Sequence, residues 1–141
     1  MRKLYSKDLS LLLVLLFTFS LCVPASASVP VLRSNRYLNS YDGIVTREGG
    51  GTIKISFTVI GTRVIDEIGV SQIVVEKQSG NYWVPMKTYN NTKNPELSTT
   101  NDYSYANYVL YNGEAGAVYR AEITVFGNTD YRTITTSSQR A

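Results

Sequence analysis

Carboxylates are the residues in this chain best suited by type and spacing to do chemistry: the adjacent pair Asp66 and Glu67, with Asp102 and Glu114 further on. Two carboxylates held across a cleft could divide acid, base or nucleophile roles in glycoside hydrolysis. Neighbours on an extended segment point to opposite faces, however, so Asp66 and Glu67 do not converge. Solvated surface charge is the simpler reading of all four. The chain has no histidine, and its single cysteine, Cys22, stands in an apolar N-terminal run. The usual base near neutral pH is therefore missing, as are the ligands of ordinary zinc and copper sites. Neither "VIDEIG" nor "FGNTDY" has the oxygen spacing of an EF-hand calcium loop, and Gly49-Gly50-Gly51 is not followed by the Lys-Ser/Thr of a phosphate loop. No catalytic residue, metal ligand or cofactor is assigned, and a hydrolase is the weakest functional reading.

What remains is aromatic. The chain carries eleven tyrosines and one tryptophan, only Tyr5 of them in the N-terminal apolar region. Tyr82, Trp83 and Tyr89 fall on one predicted strand and Tyr108 on another. These four are the candidate binding residues, because rigid rings with polar tips stack on sugars and anchor protein partners. Tyrosine is also a preferred strand residue and pairs across sheets. By alternation Tyr103 and Tyr105 share a face with Val109 and Tyr111, while Tyr108 lies opposite, with Leu110. The polar stretch "NNTKNPELSTTN", residues 90–101, is the longest predicted loop and a second candidate contact region.

These residues need elements to position them. The chain opens with Arg2, Lys3 and Lys7, runs apolar from Leu9 to Val23, and reaches the small residues Ala25-Ser26-Ala27. That is the layout of a cleaved signal peptide over residues 1–27, too short for a membrane span of about 20 apolar residues. Cleavage removes three of the 14 basic and one of the 11 acidic side chains, leaving 11 against 10, a charge of about +1. The high pI therefore belongs to the leader, and neither nucleic acid nor an anionic membrane is an expected partner. The exported part lacks cysteine, so packing alone must stabilise it.

Residues 28–36 read as a lead-in, and 37–141 as a single all-β domain. "TIKISFTVI" alternates strictly, with Ile53, Ile55, Phe57 and Val59 inward. Gly49-Gly50-Gly51 marks one turn and Ser79-Gly80-Asn81 a hairpin. Pro85 confines the returning strand to an edge or an irregular pairing. "TRVIDEIG" reads as a connection. Seven strands at spacings of about a dozen residues suit a two-sheet sandwich.

Gly116-Ala117-Val118-Tyr119, followed by Ala121, Ile123 and Val125, resembles the corner between the fifth and sixth strands of a fibronectin type III or related immunoglobulin-like module. "EKQSGNYWVPMK" is similar to its third strand, hairpin and fourth strand. Phe57 replaces the second-strand tryptophan common in that family, and Gly113 replaces an apolar residue before the corner. The resemblance implies a seven-stranded immunoglobulin-like β-sandwich, with Tyr119 as a tyrosine corner, Gly116 at the turn and Ile123 in the core. The signal-peptide layout, "VIGTRVIDEIG", "IVVEKQSGNYWVPMKTY" and "YNGEAGAVYRAEITVF" also resemble a family of small secreted proteins of Gram-positive bacteria. That resemblance implies export to the medium or cell envelope and brings no activity with it. The sequence thus points to a secreted, non-enzymatic module for a protein or glycan, with a structural subunit self-assembling through sheet edges as the alternative. Ligand and oligomeric state stay open at this level.

Overall fold

The alternation that begins at Ile53 does not stop where the sequence pattern suggests. In the computed structural model, which describes residues 36–141, it opens a single strand, β2, running from Thr52 to Ser79 over 28 residues. The expected signal peptide and nearly all of the lead-in lie outside the described residues. Strand β1, Leu38–Gly49, precedes β2, and the turn between them uses three glycines with φ from +63° to +95°, a region that costs other residues strain. After β2 come β3 (Tyr82–Asn90), a 3-10 turn at Pro95–Leu97, β4 (Ser98–Asn112), β5 (Val118–Gly127), β6 (Asp130–Thr135) and the two-residue β7 (Gln139–Arg140). All pairings are antiparallel.

The register fixes how these strands surround β2. Residues 52–60 of β2 pair with both β1 and β4, so those two strands occupy opposite edges. Residues 72–77 pair with both β3 and β5. At Ile68 and Gly69, β2 has β4 on one side and β5 on the other. It follows that β1 and β5 share one edge of β2, and β4 and β3 share the other. The first half of β2 belongs to the group β1–β2–β4, its second half to β3–β2–β5–β6, and the sheet curls around one core.

That curl rests on phase slips. Inward positions run Ile53, Ile55, Phe57 and Val59, then Ile65, Ile68, Val70, Ile73 and Val75, all buried. The steps of three at 65–68 and 70–73 break strict alternation, and a bulge leaves Ser71 between the Val70↔Val125 and Gln72↔Thr124 pairs, its hydroxyl donating to Thr124 O at 3.1 Å. Bulges bend a strand and increase its twist. The segment marked by sequence as a connection is therefore strand: Arg63, Asp66 and Glu67 turn outward while Ile65 and Ile68 stay in the core. The sequence-based strands over 52–60 and 73–79 are one, and the count of seven is restored only by β7.

β1 crosses the inner side of the other group. A methyl placed on Gly43 would stand 2.5 Å from Ile123 Cδ1 on β5 and 3.1 Å from Ile134 Cδ1 on β6, so no side chain fits there. Pro85 sits on the edge strand β3 beside a second irregularity, in which Met86 is extra between the Val75↔Lys87 and Glu76↔Pro85 pairs. This accommodates a residue with no N–H to donate.

Candidate functional site

Alternation puts Ser40, Asp42, Ile44 and Thr46 of β1 on the outer face of the first group, with Lys54, Ser56, Thr58 and Ile60 of β2 and Ser104, Ala106, Tyr108 and Leu110 of β4. Register arranges them in rows: Ile44–Ser56–Tyr108, Thr46–Lys54–Leu110, Asp42–Thr58–Ala106 and Ser40–Ile60–Ser104. Ile44, Tyr108 and Leu110 are each about half exposed, at 53%, 53% and 51%. Lys54 Nζ stands 5.5 Å from the centre of the Tyr108 ring and 3.0 Å from Glu48 Oε1, so its charge is matched within the face. Beyond the Tyr108 row a shallow cavity of about 300 Å³ is lined by Ser40, Tyr41, Asp42, Thr58 and Ile60. The face therefore combines an aromatic platform, two aliphatic flanks and a hydroxyl-rich hollow with one carboxylate.

The other aromatic candidates do not join Tyr108. Trp83 of β3 belongs to the second group, where the Arg120 guanidinium lies 4.4 Å from its ring centre. Arg120 Nε in turn donates to Glu76 Oε2 at 2.6 Å, and Glu76 is buried. One face of the indole is thus covered by a cation held by a buried carboxylate, an arrangement that fastens β3 to β2 and β5. Tyr82 is the most exposed of the four, at 77%, and stands at the hairpin tip opposite Ser79. Tyr89 packs against the core, and its hydroxyl donates to Leu110 O at 2.9 Å, bridging β3 to the edge of β4. A single aromatic surface built from Tyr82, Trp83, Tyr89 and Tyr108 is not what the fold makes, because β3 and β4 belong to different strand groups.

The 90–101 region is also not one exposed loop. Leu97 is fully buried, and Ser98 to Asn101 are already strand. Tyr105 Oη donates to Glu96 O at 2.6 Å, and Asn107 Nδ2 donates to the same oxygen at 2.8 Å. The loop is a plug that seals the core where β3 gives way to β4. Its polar composition hides the one residue, Leu97, that anchors it.

Tyr119 is fully buried, and the Glu114 N–H donates to its hydroxyl at 2.9 Å, five residues upstream. Its ring meets Tyr111 edge-on with centroids 5.5 Å apart. A methyl on Gly113 would fall 2.6 Å from the Tyr119 hydroxyl and 2.7 Å from Cζ, so glycine stands before the corner because the tyrosine ring fills that space. Gly116 turns at φ +83°, and Ile123 is fully buried. Burial pushes the Tyr89 and Tyr111 hydroxyls above their ordinary titration range; Tyr111 adds to the effect on Tyr89, while Tyr119 and Glu114 add to that on Tyr111 and Lys77 opposes it. Lys77 is also held above its ordinary value by its bond to Glu114, at 2.6 Å.

The four carboxylates considered for catalysis are engaged separately. Asn128 Nδ2 donates to Asp66 Oδ2 at 3.3 Å, and Ser98 Oγ donates to Glu67 Oε1 at 3.2 Å. Asp102 Oδ1 accepts from the N–H groups of Tyr103 and Ser104, and Glu114 pairs with Lys77. Among the described residues no three His, Cys, Asp or Glu side chains stand together as metal ligands. Sequence reasoning found Tyr108 and Leu110 on one face but missed Ser40, Asp42, Ile44 and Thr58. Alternation within β1 carries part of that signal, and only the β1–β2 register places it beside Tyr108.

No family model and no curated protein matches the chain. Among solved structures, it is similar to the crystal structure of a family 76 glycoside hydrolase from a bovine Bacteroides thetaiotaomicron strain, at 15% identity and a TM-score of 0.33, over 72% of this chain and 20% of that one. The chain spans about a fifth of that protein's length, and a likeness at this level carries no argument about fold or activity.

Proposed function

We propose that this protein is an exported, non-enzymatic binding module on an immunoglobulin-like β-sandwich, with its ligand lying across the outer face of β1, β2 and β4. Support for the sandwich comes from pairing. If β2 is counted as two strands joined without a break, the first, second and fifth strands form one group and the third, fourth, sixth and seventh the other. Immunoglobulin-type sandwiches likewise separate the first, second and fifth strands from the third, sixth and seventh. The bond from Tyr119 back to the Glu114 backbone is the contact a tyrosine corner makes. Export, to the medium or the cell envelope, rests on the basic, apolar and small-residue order of residues 1–27.

The observation that carries the binding reading is the contiguity of half-exposed Ile44, Tyr108 and Leu110 with the cavity at Asp42 and Thr58. Self-assembly through open edges is the other reading, and on the β4 and β3 edges the chain's own bonds oppose it. On the edge of β4 away from β2, the Tyr108 N–H donates to Asn107 Oδ1, the Ser104 N–H to Asp102 Oδ1, and Leu110 O accepts from Tyr89. Groups bonded this way are not offered to another strand. On β3, Pro85 and the extra Met86 interrupt the ladder.

The test is retention of the purified protein on Gram-positive envelope fragments, with Tyr108→Ala, Ser56→Arg and Trp83→Ala variants whose melting is checked first. Loss with the first two and not the third is expected. Equal retention of all folded forms, or none for the parent, sinks the face; concentration-dependent light scattering revives assembly.

A further inference from the structure

We infer that the ligand of this face is a neutral, hydroxyl-rich glycan chain, an inference that rests on reading the β1–β2–β4 face as the binding surface. Charge narrows the choice first. Lys54 is paired with Glu48 at 3.0 Å, and Asp42 is the one charged side chain that lines the cavity, so a polyanion would meet repulsion there. Backbone pairing narrows it again. A peptide adding as a strand needs open N–H and C=O groups, and on the adjoining β4 edge the Ser104 and Tyr108 N–H groups and the Leu110 C=O are engaged within the chain.

The chemistry that remains fits a pyranose. Tyr108 offers a half-exposed ring backed by the Lys54 ammonium at 5.5 Å, and the C–H face of a sugar stacks on such a ring. The sugar's hydroxyls then need partners that both donate and accept, which Ser40, Ser56, Thr58 and Ser104 supply, with Asp42 as a stronger acceptor. Ala106, between Thr58 and the edge of β4, leaves that row low. Side chains on one face recur every two residues, so the Tyr108 row and the Ser40–Ile60 row lie roughly 13 Å apart, the span of about two or three linked sugars.

Affinity electrophoresis of the purified protein tests this, in gels containing a neutral glucan, a neutral mannan, polygalacturonate or no polymer. Retardation by a neutral polymer is expected, with Tyr108→Ala binding about tenfold more weakly and Asp42→Asn several-fold more weakly, Tyr108→Trp retaining affinity, and Gln72→Lys on the other strand group unchanged. Retardation by polygalacturonate alone overturns the neutral class. If no neutral polymer retards the protein while Tyr108-dependent envelope retention persists and is lost when the envelope is treated with protease, the partner is a protein: the glycan inference falls and the face stands. If neither retardation nor Tyr108-dependent retention appears, both fall.

Discussion

Gly113→Ala puts the packing around Tyr119 to a quantitative test. Gly113 does not adopt a positive φ, so alanine's backbone is permitted there and the substitution isolates one steric contact. The new methyl would lie 2.6 Å from Tyr119 Oη, 2.7 Å from Cζ and 2.9 Å from Cε2. Tyr119 has little room to yield, being fully buried, bonded to the Glu114 N–H and packed on Tyr111. Overpacking of this kind costs about 1–3 kcal/mol, and loss of the Glu114 bond adds about 1 kcal/mol. The restricted unfolded chain returns about 0.4–1 kcal/mol. The net expectation is a loss of about 1–3 kcal/mol, read as a drop of roughly 4–15 °C in Tm for a domain of this size. Urea denaturation of Gly113→Ala, Tyr119→Phe and the double variant measures it. Removing the hydroxyl relieves the closest contact, so the double variant should lose about 0.5 kcal/mol or more less than the sum of the singles. A neutral or stabilising Gly113→Ala, or strict additivity, would refute the packing argument.

Ile123→Ala should cost about 2–5 kcal/mol, since Ile123 is fully buried and meets β1 at Gly43; equilibrium denaturation checks it. Arg120→Ala strands the buried Glu76 carboxylate and uncovers Trp83, so a loss of about 1–3 kcal/mol is expected. Trp83 is the sole tryptophan, so its emission should shift to the red in the folded variant, and an unchanged spectrum would count against the stack. Tyr89 and Tyr111 titrate above the ordinary 10.0 in the folded state. The folded chain therefore holds their protons longer than the unfolded chain, and the resulting stability is complete below pH 10 and lost as pH rises through the folded values. Stability measured between pH 8 and 11.5 should fall above pH 10, and more gently in Tyr111→Phe.

Much of this fold is legible in sequence because local physics decides it. The alternation from Ile53 to Val59, the glycine turn at 49–51 and the hairpin at Gly80 depend on neighbours a few residues away. The strand through Arg63, Asp66 and Glu67 is not legible, since charge there mimics a surface connection, and only the slips at 65–68 and 70–73 return isoleucine and valine to the core. Leu97 is hidden for a related reason, as one apolar residue among polar ones carries no period. The site suffers most. Trp83 looks like a free platform until Arg120, far along the chain, is found on its ring, and Tyr108 acquires its companions only through a register that brings β1 alongside β2.

The unbroken course of β2 has a mechanical consequence. Four of the six strand pairings include it, so tension applied to this one segment is passed to both strand groups. Amide protons in β1 and in β5 should therefore exchange through the same rare opening, with a common free energy equal to that of global unfolding. A ligand seated on β1 and β4 would slow exchange in β5 as well, although it touches nothing there.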